Sequence, residues 1–349
     1  MGRVYEHGGV KMEQQVYVSV KHLKKYFDIK GKGVLHAVDD ISFDVFEGET
    51  LGLVGESGCG KSTVGNVIMR LHKATDGEVY CEGQNIFKLS EKEGLENRKK
   101  MQMIFQDPFS SLNPQKTIKQ ILSEPYLIHK MKKGKELDQK IIDLLDTVGL
   151  EHDVLFKFPH ELDGGRRQLV GIARALSLNS KFIVCDEPVS ALDVSMQATI
   201  INLLMNLQKK LGLSLLFISH DLSVVRHISN RIAVMYLGQI VEMAETDTMF
   251  ANTMHPYSIA LLSAVPKPDP DLKIDRIVLK GDVPSPINPP KGCRFAGRCW
   301  MASEKCALES PELAEVEPGH YVACHFCRES QKRLEQLDKK AGRLNSLTE

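Results

Sequence analysis

The sequence predicts an α/β fold with a mainly parallel sheet, an antiparallel β part on its N-terminal side, a helical insertion and a small cysteine-bearing C-terminal extension. Three observations carry this. Apolar runs of strand length alternate with helix-period segments: Leu51 to Val54 then Val64 to Leu71, and Lys181 to Cys185 then Ser195 to Leu211 then Ser214 to Ser219. Such alternation folds as parallel strands covered by helices. Between the first strand and helix, Gly55-Glu56-Ser57-Gly58-Cys59-Gly60-Lys61-Ser62-Thr63 fits G-x-x-x-x-G-K-[ST], in the strand-to-helix context that motif requires. From Val265 the composition changes: seven of the fifteen prolines lie between Pro266 and Pro290, and five cysteines follow.

The 349 residues suggest two domains, or one large domain with an appendix, and 42% apolar content supplies a sizeable core. Lys+Arg and Asp+Glu both number 45, so no nucleic-acid footprint is expected. No apolar run approaches the roughly 18 residues of a membrane span. Met1 to Gln15 lacks the apolar core of a secretory signal. The chain is therefore expected in the cytoplasm, where eight cysteines suggest metal or redox chemistry rather than disulfides.

The elements follow in order. Residues 1–15 read as a tail. Val16 to Val20 alternates like an edge strand, and Leu23 to Gly33, basic and glycine-bearing, reads as a loop. Phe27, or its neighbour Tyr26, could stack on an adenine there, or plug the space between strands. Ile41 to Phe46 is a second strand, and Gly77 to Leu89 a short β excursion. Met101 to Phe105 is a buried strand ending at Gln106, where Asp107-Pro108 breaks the ladder. Helical periodicity then runs from Asn113 to Leu178, with stripes at Ile118, Ile121, Leu122 and at Ile141, Leu144, Leu145, Val148, stopped by Gly149. Arg231 to Ala244 reads as a hairpin turning at Gly238. The expected division is a nucleotide-binding domain over 16–265, with its helical part at about 107–178. A proline-rich linker and cysteine-rich domain follow over 266–330, then a charged tail over 331–349.

The chemistry gathers at strand ends, where ligands of such sheets bind. The glycines let successive N–H groups turn inward around a triphosphate, and the helix beginning at Lys61 points its positive end the same way. Lys61 would reach the β- and γ-phosphates and Ser62 would ligate Mg²⁺. Asp186 would hold Mg²⁺ and Glu187 would polarise an attacking water. Glu187 could also simply cap the next helix, since Pro188 follows. His220 ends another strand, at the interval needed to reach a γ-phosphate; its plain alternative is a partner for a nearby carboxylate.

These residues resemble the ATP-binding subunits of ABC importers of the oligopeptide/dipeptide type, over roughly residues 15 to 330. Gly55 to Thr63 matches the Walker A, Phe105-Gln106-Asp107-Pro108 the Q-loop, Leu162 to Gln168 the signature, and Ile183 to Glu187 the Walker B. Ser190-Ala191-Leu192-Asp193 matches the D-loop and His220 the switch histidine. His255-Pro256-Tyr257 and the cysteines after Pro290 resemble the peptide branch. The resemblance implies ATP and Mg²⁺ as cofactors, with Ser62, Gln106 and Asp186 around the metal. Glu187, His220, Gln106 and Lys61 would be catalytic. It also implies a head-to-tail dimer in which Asp163, Gly164 and Gly165 face the partner's nucleotide. Two membrane permeases and an extracytoplasmic solute-binding protein complete the assembly, with this chain on the cytoplasmic face of the membrane.

The signature departs from the family pattern. The family has Leu-Ser-Gly-Gly-Gln; this chain has Leu162-Asp163-Gly164-Gly165-Arg166. Aspartate still caps a helix, but it places a negative charge where a phosphate should dock. Two like charges at 4 Å cost about 4 kcal/mol at an effective dielectric of 20. The expectation is an asymmetric heterodimer with a second, intact ATPase; a compensated Asp163–Arg166 variant is the alternative. In the tail, Cys293, Cys299, Cys306 and Cys324, with Cys327 as a fifth thiol, suit zinc or an iron–sulfur cluster. The resemblance favours [4Fe–4S], and Cys59, Cys81 and Cys185 read as packed core residues. Other readings are import of nickel or another small solute, a redox-sensing ATPase, or a soluble regulatory ATPase. The last usually carries tandem domains or a long coiled coil, absent from this sequence.

Overall fold

The computed structural model describes residues 3–7, 10–131, 133–265, 277–279, 281, 283–330 and 332. Much of the proline-rich linker and nearly all of the expected charged tail at 331–349 lie outside the described residues.

The chain begins with a short antiparallel pair, β1 (Arg3–His7) and β2 (Val10–Gln14), where a tail was expected. β3 (Val16–Ile29) and β4 (Gly33–Phe46) then form a long hairpin. The expected loop from Leu23 to Gly33 is mostly strand: Tyr26 lies opposite His36, Phe27 opposite Leu35 and Ile29 opposite Gly33. Register shifts between Val20 and Leu23 and between Lys25 and Tyr26 explain why. Each bulge moves side chains to the other face, so the alternation that marks a strand is broken while the ladder continues.

β5 (Thr50–Val54) leads through the glycine loop to α1 (Lys61–Ile68). β6 (Asp76–Cys81) and β7 (Gln84–Asn85) complete a four-stranded antiparallel sheet in the order β4-β3-β6-β7. α2 (Glu91–Lys100) precedes β8 (Met101–Ile104). The helical insertion follows: α3 (Pro108–Ser111), α4 (Ile118–Ile128), α5 (Gly134–Val148) and α6 (Gly164–Leu176). The predicted stripes on α4 and α5 are buried in one cluster with Leu169, Val170 and Ile172 of α6. Gly149 ends α5 with a left-handed φ of 74°, a conformation glycine adopts without strain.

β9 (Phe182–Asp186), α7 (Val194–Leu211), β10 (Ser214–Ser219), α8 (Leu222–Ile228) and β11 (Arg231–Tyr236) finish the parallel part, in the spatial order β11-β5-β10-β9-β8. Every residue of β5, β9, β10 and β11 is buried. One face packs on α6, α7 and α8 and the other on α1 and the β3–β4 sheet, so these strands are continuous apolar runs. β12 (Gln239–Glu245) turns back antiparallel at Leu237-Gly238. α9 (Thr246–Ala251), α10 (Pro256–Ser263) and α11 (Glu304–Leu308) precede β13 (Ala314–Glu317) and β14 (His320–Val322). β14 pairs with β12, Glu242 opposite Val322 and Met243 opposite Tyr321. The cysteine-bearing extension is thus hydrogen-bonded into the main sheet.

His255 starts α10. Its backbone N–H donates to Glu242 Oε2 at 3.0 Å, and its Nδ1 accepts from the Tyr257 N–H at 3.1 Å. Full burial pushes its imidazole down to about 3. The unfolded chain takes up this proton near pH 6.5, whereas the fold does not. Stability must therefore fall as pH drops below about 6.5, at up to ~1.4 kcal/mol per unit from this group. In urea titrations of the full chain, His255→Asn should lose about 2 kcal/mol less between pH 7 and pH 5 than the wild type. Equal losses would refute this titration.

Candidate functional site

The glycine loop is shaped by what surrounds it. Gly55 has φ 155°, and a Cβ there would sit 2.1 Å from the Met235 carbonyl oxygen; at Gly60, φ 109°, it would sit 2.0 Å from that of Ala37. Only glycine fits at these two positions. Lys61, 4% exposed, donates through Nζ to the carbonyls of Gly55 at 2.8 Å and Glu56 at 3.0 Å. Among the described residues no carboxylate pairs with this buried ammonium. A buried cation held by two carbonyls and, at 3.9 Å, the Cys59 sulfur, with no anion beside it, can hold a polyphosphate.

Ser62 Oγ donates to Asp186 Oδ1 at 2.8 Å, joining the start of α1 to the end of β9. Burial lifts the Asp186 carboxyl above its ordinary range; the Ser62 hydrogen bond opposes this, Glu187 adds to it and Lys61 opposes it. A hydroxyl and a buried carboxylate side by side suit a hard divalent cation. Next, Glu187 adopts φ 44°, a strained conformation for a non-glycine residue, held by its N–H donating to the Ile218 carbonyl at 3.0 Å. Its Oε2 accepts from Gln106 Nε2 at 3.0 Å and lies 3.3 Å from His220 Nδ1. Glu187 is largely sheltered at 12% side-chain exposure, whereas His220 is 57% exposed. Three residues from three strand ends thus meet on one carboxylate.

The sequence matches the ABC transporter family over residues 38–190 and the oligopeptide/dipeptide transporter C-terminal region over 241–306. It is 50% identical over 322 residues to the oligopeptide transport ATP-binding protein AppF of Bacillus subtilis, covering 90% of this chain and 98% of that protein. The chain belongs to the ABC transporter ATP-binding proteins. It is also 47% identical over 308 residues to the dipeptide transport ATP-binding protein DppF of Haemophilus influenzae, covering 86% of this chain and 94% of that one. Among solved structures, the dimeric ATP-binding cassette MJ0796 bound to ADP and Pi aligns with TM-score 0.60 at 29% identity, covering 66% of this chain and 98% of that one.

Within this ABC ATPase, the signature residues stand apart from the carboxylate cluster. Asp163 caps α6 by accepting from the Arg166 N–H at 2.8 Å, and its other oxygen lies 3.4 Å from Arg166 Nε. Gly164 faces Leu192, just before α7, and Gly165 faces Met196 in the first turn of α7. Phe27 lies on β3, its ring edge-on to His72 with Lys25 Nζ over its face. Tyr26 is engaged otherwise: it stacks on His36 and its hydroxyl donates to Asp39.

The expected cysteine ligands are drawn together but do not form a cage. Cys293, Cys299, Cys306 and Cys324 line one small apolar cavity of about 20 Å³ with Phe295 and Met301. Among the described residues no group of three or more His, Cys, Asp or Glu could hold a metal ion. The four thiols thus surround one space without forming a ready ligand group. Burial pushes the Cys324 thiol up to about 12, and the neighbouring Cys299, Cys327 and Cys293 add to this. Each of two sulfurs is also tied to its own turn: Cys299 accepts from Met301 N–H and Cys324 from Phe326 N–H. Cys59, Cys81 and Cys185 are buried core residues.

Sequence reasoning missed two partners of the phosphate loop and a third residue that braces the turn beside it. Tyr257 Oη accepts the Glu56 N–H at 2.8 Å, Arg298 pairs with the Glu56 carboxylate, and Arg294 bonds Asp39 and the Leu237 carbonyl. One signal was available: a carboxylate inside a phosphate-binding loop needs a cation, and the arginines beside Cys293 and Cys299 are the supply.

No helix among the described residues is long and apolar enough to cross a membrane.

Proposed function

We propose that this chain is the ATP-hydrolysing subunit of an importer of peptides, working on the cytoplasmic face of a membrane. The observation that carries the enzymatic part is Glu187 at the end of a buried strand, bonded to Gln106 and facing His220, beside the Lys61 loop. Lys61 and the loop N–H groups bind and orient the β- and γ-phosphates of ATP. Ser62 and Asp186, with Gln106, would hold Mg²⁺, whose charge would offset that of the phosphates. Glu187 accepts a proton from the attacking water, and His220, 3.3 Å from that carboxylate, steadies it and the γ-phosphate. Phe27 lies on the strand that would meet the adenine.

The peptide assignment is supported by the match of residues 241–306 and by relatives named for oligopeptide and dipeptide transport. The assembly we infer has a second ATPase, two permeases and an extracytoplasmic solute-binding protein. The second ATPase is a different chain with an intact signature, because Asp163 is already paired within its own helix. For the C-terminal extension we infer a [4Fe–4S] cluster on Cys293, Cys299, Cys306 and Cys324, supported by the four thiols around one cavity.

One preparation tests these readings together. The tagged chain is purified from native membranes without oxygen and analysed by mass spectrometry and for iron and labile sulfide. Two permeases, a second ATPase and about four irons per chain are expected. Soluble partners alone would refute the importer, and iron-free protein with intact partners would refute only the cluster.

A further inference from the structure

The phosphate loop is gripped by the cysteine-bearing extension. Arg298 lies in the 3₁₀ turn Ala296–Arg298, between Cys293 and Cys299. Its guanidinium, 8% exposed, donates from Nη1 to Glu56 Oε2 at 2.7 Å and from Nη2 to Glu56 Oε1 at 3.1 Å. This is a two-pronged, sheltered pair, the geometry in which arginine holds a carboxylate most firmly. The Tyr236 ring lies 6.0 Å from the same guanidinium.

Glu56 is the second residue of the loop, and its backbone is equally occupied. Its N–H donates to Tyr257 Oη, and its carbonyl accepts from Lys61 Nζ at 3.0 Å and from the Cys59 N–H at 3.3 Å. Four residues before Arg298, Arg294 bonds the Leu237 carbonyl and the Asp39 carboxylate. The turn it holds donates back to the loop, Gly238 N–H to the Cys59 carbonyl at 2.8 Å. One short segment therefore fixes the loop at Glu56 directly and at Cys59 through a turn.

We propose that Arg298 is a positioning residue of the ATP site: by holding Glu56 it presets the loop turn and the Lys61 carbonyl cradle, so that the C-terminal extension governs nucleotide affinity. Arg298 acts through Glu56 and need not touch ATP. The loop N–H groups that receive phosphate must already point inward when it arrives; a loop free to relax must be reordered at the expense of binding. The inference rests on the reading of residues 55–63 as the nucleotide site.

The test uses the full-length chain and MgATP titrated by calorimetry. Arg298→Ala and Glu56→Gln should each raise Kd about tenfold. The double variant should be no worse than either single, because both remove the same pair. Arg298→Lys should recover part of the loss, as a charge without the fork. Glu56→Gln preserves shape and serves where Arg298→Ala is too unstable to assay. A purely structural role predicts a lower melting temperature with Kd unchanged in the folded protein. Unchanged Kd in Glu56→Gln, or singles that add in the double, overturns the proposal. A wild-type chain that binds no MgATP would overturn the nucleotide-site reading, and this inference with it.

Discussion

Glu187→Gln in the assembled transporter is expected to cut ATP turnover by about 10²–10⁴-fold, the usual contribution of a positioned general base. The exchange is nearly isosteric. It keeps an oxygen for Gln106 Nε2, now at 3.0 Å, and leaves the Ser62–Asp186 pair untouched. What it removes is the negative charge facing His220 and the capacity to take a proton from water. MgATP affinity should therefore survive, since Lys61, Ser62 and Asp186 are unchanged. Single-turnover hydrolysis and nucleotide binding, measured on the same preparation, separate the two effects. A loss in turnover below about tenfold would remove Glu187 from the proton-transfer role. The strained φ of 44° at this residue agrees with that role, because strain is retained where geometry matters more than stability.

The second large effect has the opposite sign. Converting Asp163 to Ser together with Arg166 to Gln should raise steady-state turnover of the complex about 30-fold at the site this signature serves. The estimate starts from ~4 kcal/mol for two like charges at 4 Å and assumes that Arg166 offsets about half. The remaining ~2 kcal/mol corresponds to that factor. The helix should tolerate the exchange, as serine caps a helix about as well as aspartate. The two positions must be changed together, because Asp163→Ser alone leaves Arg166 without its partner 3.4 Å away. Turnover that does not rise would mean that the Asp163–Arg166 pair is a working signature, and the argument for an unlike partner would fall with it.

Much of the site was legible because its chemistry is local in sequence. The loop from Gly55 to Thr63 forms one continuous turn, and Asp186 and Glu187 are adjacent at a strand end. Strands such as β9 and β10, buried on both faces, are plain apolar runs. Gln106 and His220 were legible as residues ending strands, but not that both would converge on a single oxygen of Glu187. Their meeting depends on the order β10-β9-β8, which periodicity does not encode. The β3–β4 hairpin was half read because bulges scramble its alternation. Least legible was the traffic between the loop and the extension. Arg298 and Glu56 lie 242 positions apart, and nothing in the residues between them sets that distance to 2.7 Å.

The pairing of β14 with β12 bears on how this protein is made. Until His320–Val322 is in place, β12 is an open edge, and such edges invite pairing with other chains. The buried carboxylate of Glu242 shares that wait. In the finished fold it accepts from the Met254 and His255 N–H groups and meets His320 Nε2 at 2.8 Å. His320, itself fully buried, arrives only with β14. A nascent or truncated chain ending before residue 320 therefore carries both an unsealed edge and a half-satisfied acid in its interior. The ATPase core is in this sense sealed only by residues 320–322, long after the nucleotide loop at 55–63 has been made.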